Sequence, residues 1–355
     1  MELIYLADLT SIHTVRWVNY FASLNKGNVF CLSLGSNLSD INQDIIVYKL
    51  KGFKNIFNVL KSLTLISSKS KSIVHVHYLG WNALLLFFAN KNKKIILTPW
   101  GCDIYANRKN FIKRFFLKYM FKKCDYIICD SKKLIEASCS FGANPIYSKV
   151  IAFGTDTEKF QSKRKIFLNT TKNEKIRVGT NRCMENIYDP FTLLKAAKYL
   201  KMKNKSYRFI IANDGSLEKK LKNYVIKNKL EQMVEFIGRQ YEKDNINFYS
   251  NIDIYVSTSL RDGGLAASIA EAMSCERLVI VSNNSDNSDF ISHASTGYLF
   301  ENKDYKTLAN LIDFTSQNIK NSRDIAKEAR KVILEKCNYY KEMNKVYEIY
   351  KNIQN

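Results

Sequence analysis

Arg261 to Asn284 reads RDGGLAASIAEAMSCERLVIVSNN, a charged turn with two glycines, an alanine-rich segment carrying one carboxylate, and an apolar β-rich run. Leu265, Ile269, Ala272 and Met273 recur at i, i+4, i+7 and i+8. That spacing predicts a helix that buries this stripe and carries Ala267, Ser268 and Glu271 on its other side. Gly263 and Gly264 admit the backbone angles of a tight turn and let a ligand come close to the main chain. The free N–H groups of the following helical turn favour an anion. Glu271, about two turns further on, can accept hydrogen bonds from hydroxyls attached to that anion, as a ribose would present them. The pattern points to a nucleotide; a tight strand-to-helix connection with a solvated Glu271 accounts for the same residues without one.

On both sides of this stretch, short β-rich runs alternate with longer amphipathic segments. LIYLA at 3–7, NVFCLSL at 28–34, SIVHVHY at 72–78, KIILT at 94–98, YIIC at 126–129 and SKVIAF at 148–153 form a first series. After a polar, lysine-rich passage at 161–175 the alternation resumes with IRVGT at 176–180, YRFIIA at 207–212, MVEFIG at 233–238, IDIYVST at 252–258 and RLVIVS at 277–282. Such alternation predicts βα units on parallel sheets. The expected architecture is α/β, with two Rossmann-like lobes: residues 1–165, residues 166–330, and a C-terminal helix over 331–355 that packs back towards the first lobe. A cleft between the lobes is the default ligand site. The charged helical pattern at 321–350 reads as one long closing helix.

The composition bounds the class. The chain has 355 residues, 46% of them apolar and 13% aromatic, with three prolines, which suits buried cores and excludes a disordered chain. Lys plus Arg number 55 against 33 Asp plus Glu, a formal charge of +22. That balance fits an anionic membrane, a phosphorylated substrate or nucleic acid, and it also fits a merely solvated lysine-rich surface. Nucleic acid is the least favoured, since neither RNA-binding aromatic signatures nor a helix-turn-helix pattern is present. The eight cysteines lie scattered, with no CxxC pair, so neither a zinc site nor a disulfide framework is expected and a reducing cytoplasm fits. MELIYLADL reads as a first strand, not a signal peptide, and no uncharged run reaches the roughly 18 residues of a spanning helix.

The segment DGGLAASIAEAMSCERLVIVSNN resembles the donor-binding segment of the GT-B retaining glycosyltransferases of family 4, also called glycosyl transferases group 1, with their D-G-x-x-x-S-x-x-E-A-M pattern. SIHTVRWVNYF at 11–21, HVHYLGW at 75–81, LTPWGCDIY at 97–105, VIAFGTDTEKF at 150–160, VGTNRCMENIYDPFTLLKAAKYL at 178–200, IANDGSLEKKL at 211–221 and TGYLFENKD at 296–304 resemble further family segments in the family's order. The resemblance implies a GT-B fold whose parallel sheets face an interlobe cleft. It makes Glu271 the ribose ligand and Arg182 the cation on the donor diphosphate. The amides after Gly263 and Gly264, with Leu265 and Ser268, would hold the phosphates, and Gly238 lies in the 236–239 loop expected near the base. No cofactor and no metal is implied; a UDP- or GDP-sugar enters as substrate. In four places the chain departs from the family pattern. Gly263 stands where the family's first acid would be, so Asp262, one residue earlier, is the candidate for its role. Tyr188 or Asp189 replaces a lysine, Trp100 a common histidine, and Cys275-Glu276-Arg277 a Cys-Gly-x-Pro turn.

On the acceptor side, His13 in the first βα loop is the candidate contact and the third catalytic candidate. His77 and Asp103 join it because both fall at strand ends, where open α/β sheets bind ligands. His75 and His77 alternate on one face of a strand and also read as a packed, hydrogen-bonded strand end. At 108–124, RKNFIKRFFLKYMFKKC places Ile112, Phe115, Phe116, Tyr119 and Met120 on one helical face and Arg114, Lys118 and Lys122 on another. This helix either packs on its own domain or lies on an anionic membrane. Together these readings describe a retaining, metal-independent glycosyltransferase acting on a glycan or lipid-linked acceptor in bacterial envelope synthesis, cytoplasmic and peripheral on the inner membrane face. A nucleotide-sugar epimerase or hydrolase, and a lapsed enzyme that binds membranes or polyanions, are the rival readings.

Overall fold

The computed structural model describes residues 1–35, 40–50, 55–105, 110–162, 164–167, 175–240, 242–262, 264–284 and 287–354. The chain divides into two compact units, Met1–Phe153 with Lys341–Asn355, and Gly154–Tyr340. Residue 165, where the sequence places a boundary, lies within the second unit.

In the first unit the elements run β1 (Leu3–Leu6), α1 (Ile12–Leu24), β2 (Val29–Ser33), β3 (Ile45–Lys49), α2 (Ile56–Ser67), β4 (Ile73–His77), β5 (Lys94–Thr98), α3 (Cys102–Tyr105), α4 (Phe111–Lys123), β6 (Tyr126–Cys129), α5 (Lys132–Cys139) and β7 (Ser148–Val150). A 3₁₀ segment, Trp81–Phe88, stands in place of a helix between β4 and β5. The strands form one parallel sheet in the order β3-β2-β1-β4-β5-β6-β7. β1 and β4 are buried along their whole length, as strands covered on both faces must be. Among the helices, α4 departs from expectation. Its buried residues are Leu117, Met120 and Phe121, while Ile112 and Phe115 of the predicted apolar face are exposed. Periodicity identifies an apolar side chain but not whether a neighbour covers it.

The second unit contains β8 (Ile176–Thr180), α6 (Pro190–Met202), β9 (Tyr207–Ala212), α7 (Glu218–Lys227), β10 (Val234–Gly238), α8 (Glu242–Ser250), β11 (Ile254–Ser257), α9 (Ala267–Ser274), β12 (Leu278–Ser282), α10 (Asn287–Phe290), β13 (Tyr298–Phe300), α11 (Tyr305–Gln317) and α12 (Ile319–Lys336). Its six strands are parallel in the order β10-β9-β8-β11-β12-β13. The expected single helix over 321–350 is two, α12 and α13 (Tyr339–Gln354). The interruption has a non-local cause: Thr155 donates its N–H to Cys337 O (2.7 Å) and accepts the N–H of Tyr339 (3.0 Å), which takes both groups out of a helical ladder. Beyond the break, α13 joins the first unit. There Met343, Val346 and Tyr350 are fully buried, and Glu342 Oε2 accepts the N–H of Ala152 at 3.1 Å.

α9 is shorter at its start than the periodicity predicts. It begins after Ala266, so Leu265 lies in the preceding turn, half-exposed, and the buried stripe is Ile269, Ala270, Ala272 and Met273. Its end explains one departure from the family pattern. Glu276 has φ +54, the N–H of Arg277 donates to Ala272 O at 2.9 Å and that of Glu276 to Met273 O at 3.0 Å, the paired bonds of a Schellman cap. The backbone keeps a glycine conformation although the residue is Glu. Arg277 then turns inward, wholly buried, and donates to the carbonyls of Cys275 (2.8 Å), Ile252 (2.9 Å) and Arg164 (2.5 Å), while burial pulls its pKa down to about 10. Because a left-handed Glu is strained, Glu276→Gly should stabilise the protein by about 0.5–1 kcal/mol after glycine's larger unfolded-state entropy is subtracted. An increased urea midpoint at unchanged slope is the expected result.

Candidate active site

In the second unit β8 leads outward through β9 to β10, and β11 leads the opposite way through β12 to β13. Between β8 and β11 the winding reverses, and the C-terminal ends of two such strands form a natural ligand crevice. Arg182 follows β8, Ser259 and Asp262 follow β11, and α9 supplies Ser268 and Glu271.

Arg182 is largely buried, its side chain 15% exposed beside Asp262 at 6%. Its Nη2 forms an ion pair with Asp262 Oδ1, Nε donates to Ser259 Oγ at 3.2 Å, and Nη1 donates to Ser268 Oγ at 3.3 Å. The guanidinium carbon lies 4.2 Å from the ring centre of Tyr188, which contributes a π face beside the charge. Burial disfavours the Arg182 charge, but Asp262 with Tyr255 and Tyr188 outweighs it and raises the pKa above the usual arginine value. Hydrogen bonds from Thr258 Oγ1 to the carbonyls of Tyr188 and Asp189, both 2.9 Å, pin the two loops together.

Glu271 is fixed from beneath. Tyr249, fully buried, offers its one hydroxyl proton to Glu271 Oε2 at 2.8 Å, with Ser268 O at 3.1 Å. Asn181 Nδ2 donates to the Tyr249 oxygen at 2.9 Å, and Tyr255 donates to Asn181 Oδ1 at 2.9 Å. Burial first, then Glu271, holds the Tyr249 pKa far above normal, so this tyrosine remains a neutral donor. The first turn of α9 carries no side-chain cap. Leading into it, Gly264 is buried with φ +68, whereas Gly263 lies outside the described residues.

The structure thus brings together Arg182, Asp262, Ser268 and Glu271. Leu265 lies in the adjoining turn, half-exposed. Gly238 ends β10, exposed at φ +72; its carbonyl accepts the N–H of Asn213 (2.7 Å), whose side chain donates to Asn181 O (3.1 Å) beside Arg182. Sequence reasoning missed Asn181, Tyr249, Tyr255 and Ser259. No local spacing links these residues, and two of them read as ordinary core tyrosines.

On the first unit, β1 and β4 form the corresponding reversal. His13 packs against Phe153 (5.0 Å between ring centres) and meets Trp100 edge-on (6.1 Å). Burial, then Arg16, lowers its pKa to about 4. His75 is hydrogen-bonded to Tyr350 Oη (Nδ1, 2.5 Å) and Thr98 Oγ1 (Nε2, 2.7 Å), but His77, packed against Trp17 at 4.8 Å, finds no hydrogen-bond partner for either ring nitrogen among the described residues. Its pKa falls to about 3 through burial. Asp103, 1% exposed, accepts main-chain N–H bonds from Leu79 (2.9 Å) and Trp100 (3.0 Å), which ties the loop after β4 to the turn after β5. Among the described residues no group of three His, Cys, Asp or Glu side chains has the arrangement of a metal site.

Two family models match the chain, Glycosyl transferases group 1 over residues 158–332 and Glycosyl transferase 4-like over residues 2–131. An uncharacterized glycosyltransferase of Methanocaldococcus jannaschii is 26% identical over 266 residues, 71% of this chain and 68% of that protein. The UDP-Gal:alpha-D-GlcNAc-diphosphoundecaprenol alpha-1,3-galactosyltransferase of Escherichia coli is 28% identical over 218 residues, 58% of this chain and 54% of that protein. Anabaena HepE, solved with UDP and also with UDP-glucose, superposes with a TM-score of 0.80 in the UDP complex, at 15% identity over 99% of this chain and 100% of that one. The fold is therefore the two-lobed α/β architecture called GT-B. The chain belongs to the group 1, family-4-like glycosyltransferases.

Three histidines that are neutral in the folded state, the half-buried His13 and the buried His75 and His77, make stability depend on pH in a defined direction, with burial holding His75 well below its ordinary value. His13 and His77 titrate near 4 and 3 when folded, against 6.5 when unfolded. Below pH 6.5 the unfolded chain binds more protons, so their contribution is complete above 6.5 and is lost as pH falls through about 4 for His13 and about 3 for His77. Urea midpoints should decline over that window. His77→Phe should make the decline shallower.

Proposed function

We propose that this glycosyltransferase moves a sugar, with retention and without a metal ion, from a nucleotide-sugar held by the second unit to a hydroxyl of an acceptor held by the first. The observation that carries the reading is the Arg182 cluster beside the uncapped start of α9, with Glu271 fixed on the same helix. A departing nucleoside diphosphate gains negative charge in the transition state, and a preoriented guanidinium with free amides stabilises that gain without a cation. Before the donor binds, Asp262 neutralises Arg182. The incoming diphosphate displaces this carboxylate from the guanidinium, and Asp262 then turns to the hydroxyls of the donor sugar, the role the family's first acid implies. Glu271 accepts the ribose hydroxyls, Ser268, Gly264 and Leu265 face the phosphates, and Gly238 borders the base.

In this reading the C–O bond between sugar and phosphate breaks as the acceptor oxygen attacks the anomeric carbon from the same face, and the acceptor proton passes to the leaving phosphate oxygen. No carboxylate pair of the glycosidase kind is needed. His13 of α1, neutral at working pH, acts on the acceptor as a hydrogen-bond partner; His77 is buried against Trp17 at the end of β4, and Asp103 positions the loop after β4 and the turn after β5. UDP-sugars are favoured over GDP-sugars as donors, because Anabaena HepE was solved with UDP and UDP-glucose and the E. coli relative is named for UDP-Gal. The same E. coli name, with its diphosphoundecaprenol, favours a lipid-linked or glycan acceptor of an envelope pathway, met in the cytoplasm at the inner membrane face.

UDP at a hundred times its dissociation constant should stabilise the protein by about 2.7 kcal/mol, read as a rise in melting temperature. Arg182→Ala and Glu271→Ala should each lower transfer at least about a hundredfold while remaining folded by circular dichroism. Full activity in either folded variant, or no stabilisation by UDP or GDP, would remove the donor-site assignment.

A further inference from the structure

The first half of α4 faces solvent with its apolar side chains: Phe111 is 83% exposed, Ile112 77% and Phe115 68%. The neighbouring elements repeat this. Ile56, Phe57 and Leu60 of α2 are exposed, as are Phe87 and Phe88 of the 3₁₀ segment Trp81–Phe88. Right-handed crossovers from β3 to β4, β4 to β5 and β5 to β6 all step in one direction along the sheet, so α2, the 3₁₀ segment and α4 cover the same face. Phe87 stacks on Tyr119 of α4 with ring centres 4.3 Å apart, which joins two of these elements directly, and α2 packs beside the 3₁₀ segment. Between the 3₁₀ segment and α4 opens an apolar groove of about 410 Å³ whose walls include Tyr78, Leu84, Phe87, Ile112, Phe115 and Phe116. A contiguous apolar surface of this kind marks an interaction site.

Charge selects the occupant. The three elements hold no Asp or Glu, and Lys113, Lys118 and Lys122 are exposed on α4 around the aromatic side chains. Lys123, by contrast, donates to the carbonyls of Leu86 (2.5 Å) and Ala89 (3.4 Å) and so braces the 3₁₀ segment against α4. Exposed aromatics ringed by lysines, with no acid among them, complement a surface that is apolar within and anionic at its face. We propose that this face docks on an anionic lipid bilayer, with Phe111, Ile112 and Phe115 entering the interfacial region and Lys113, Lys118 and Lys122 meeting lipid phosphates. The inference deepens the proposed function, since it brings the chain to where a lipid-linked acceptor resides, and it rests on that reading only there.

Co-sedimentation of the full chain with vesicles tests it. Binding is expected to vesicles of mixed phosphatidylcholine and phosphatidylglycerol, to weaken with salt, and to be weak on phosphatidylcholine alone. The doubly substituted F111S/F115S, at exposed positions, should bind at least about tenfold less. K113E/K118E/K122E should lose the preference for phosphatidylglycerol. A wild-type chain that stays in solution, or variants that sediment as it does, overturn the proposal. A concentration-dependent dimer abolished by F111S/F115S, without vesicle binding, would assign the face to a second copy instead. UDP-induced stabilisation, measured on the same samples, should be equal in all three proteins. Its absence in the presence of vesicle binding would count against the donor site and leave the docking face standing.

Discussion

A guanidinium withdrawn from water must be compensated, and the second unit is arranged around the compensation of Arg182. Taking a cation out of solvent costs several kcal/mol unless a counter-charge and hydrogen bonds replace the lost hydration. Asp262 supplies the charge, Ser259 and Ser268 the acceptors, and Tyr188 a π face. These groups come from the ends of β8 and β11, from α9 and from the short segment before α6. One buried charge therefore fixes four pieces of chain against one another. The ion pair is also what makes the place suitable for an anion. A cation already desolvated and oriented needs little reorganisation to meet a diphosphate, and the carboxylate it releases is left next to whatever the diphosphate carries.

The first unit solves the opposite problem. Around the ends of β1, β4 and β5 lie aromatic rings and neutral imidazoles, with two acids among the described residues: Asp103, occupied by main-chain amides, and the exposed Asp8, which accepts from Thr10. Burial lowers the pKa of His13 and His77 so far that neither carries charge near neutrality. A surface of this sort recognises hydroxyls and sugar faces through hydrogen bonds and ring contact. The difference in polarity between the two units is what the proposed division of labour, donor in the second unit and acceptor in the first, requires.

Much of this was legible in the residues alone. β1, β4, β11 and β12 are short apolar runs because each is covered on both faces, and the alternation with helices follows. Arg182 and Glu271 could be singled out because they carry charge next to a glycine turn and an alanine-rich helix. What periodicity could not show is set by contacts distant in sequence. Leu265 continues the apolar spacing of α9, yet the cap at Ala266 leaves it outside the helix. The 321–350 pattern runs on without a break, while Thr155 interrupts it from nearly two hundred residues away. Asn181, Tyr249 and Tyr255 become a hydrogen-bonded chain only when β8, α8 and β11 lie side by side. On α4 the hydropathy is correct and the cover is not: Ile112 and Phe115 are apolar but exposed among the described residues.

That tyrosine and asparagine chain also couples Glu271 to Arg182, the two halves of the proposed donor site. Tyr249 holds Glu271 and is held by Asn181, whose own position is set by Tyr255 and by Asn213, and the residue following Asn181 is Arg182. The links are neutral, fully buried hydroxyls, whose high pKa values keep every proton in place. Such a network has few ways to rearrange, because breaking one member leaves a buried polar group unsatisfied. The Glu271 carboxylate and the Arg182 guanidinium, proposed above for the ribose and the diphosphate, therefore stand at a fixed separation. A ligand that offers both groups at that separation gains from each, and inorganic phosphate or a free sugar gains from only one. Selection for a nucleoside diphosphate thus follows from rigidity between two contacts as much as from either contact alone.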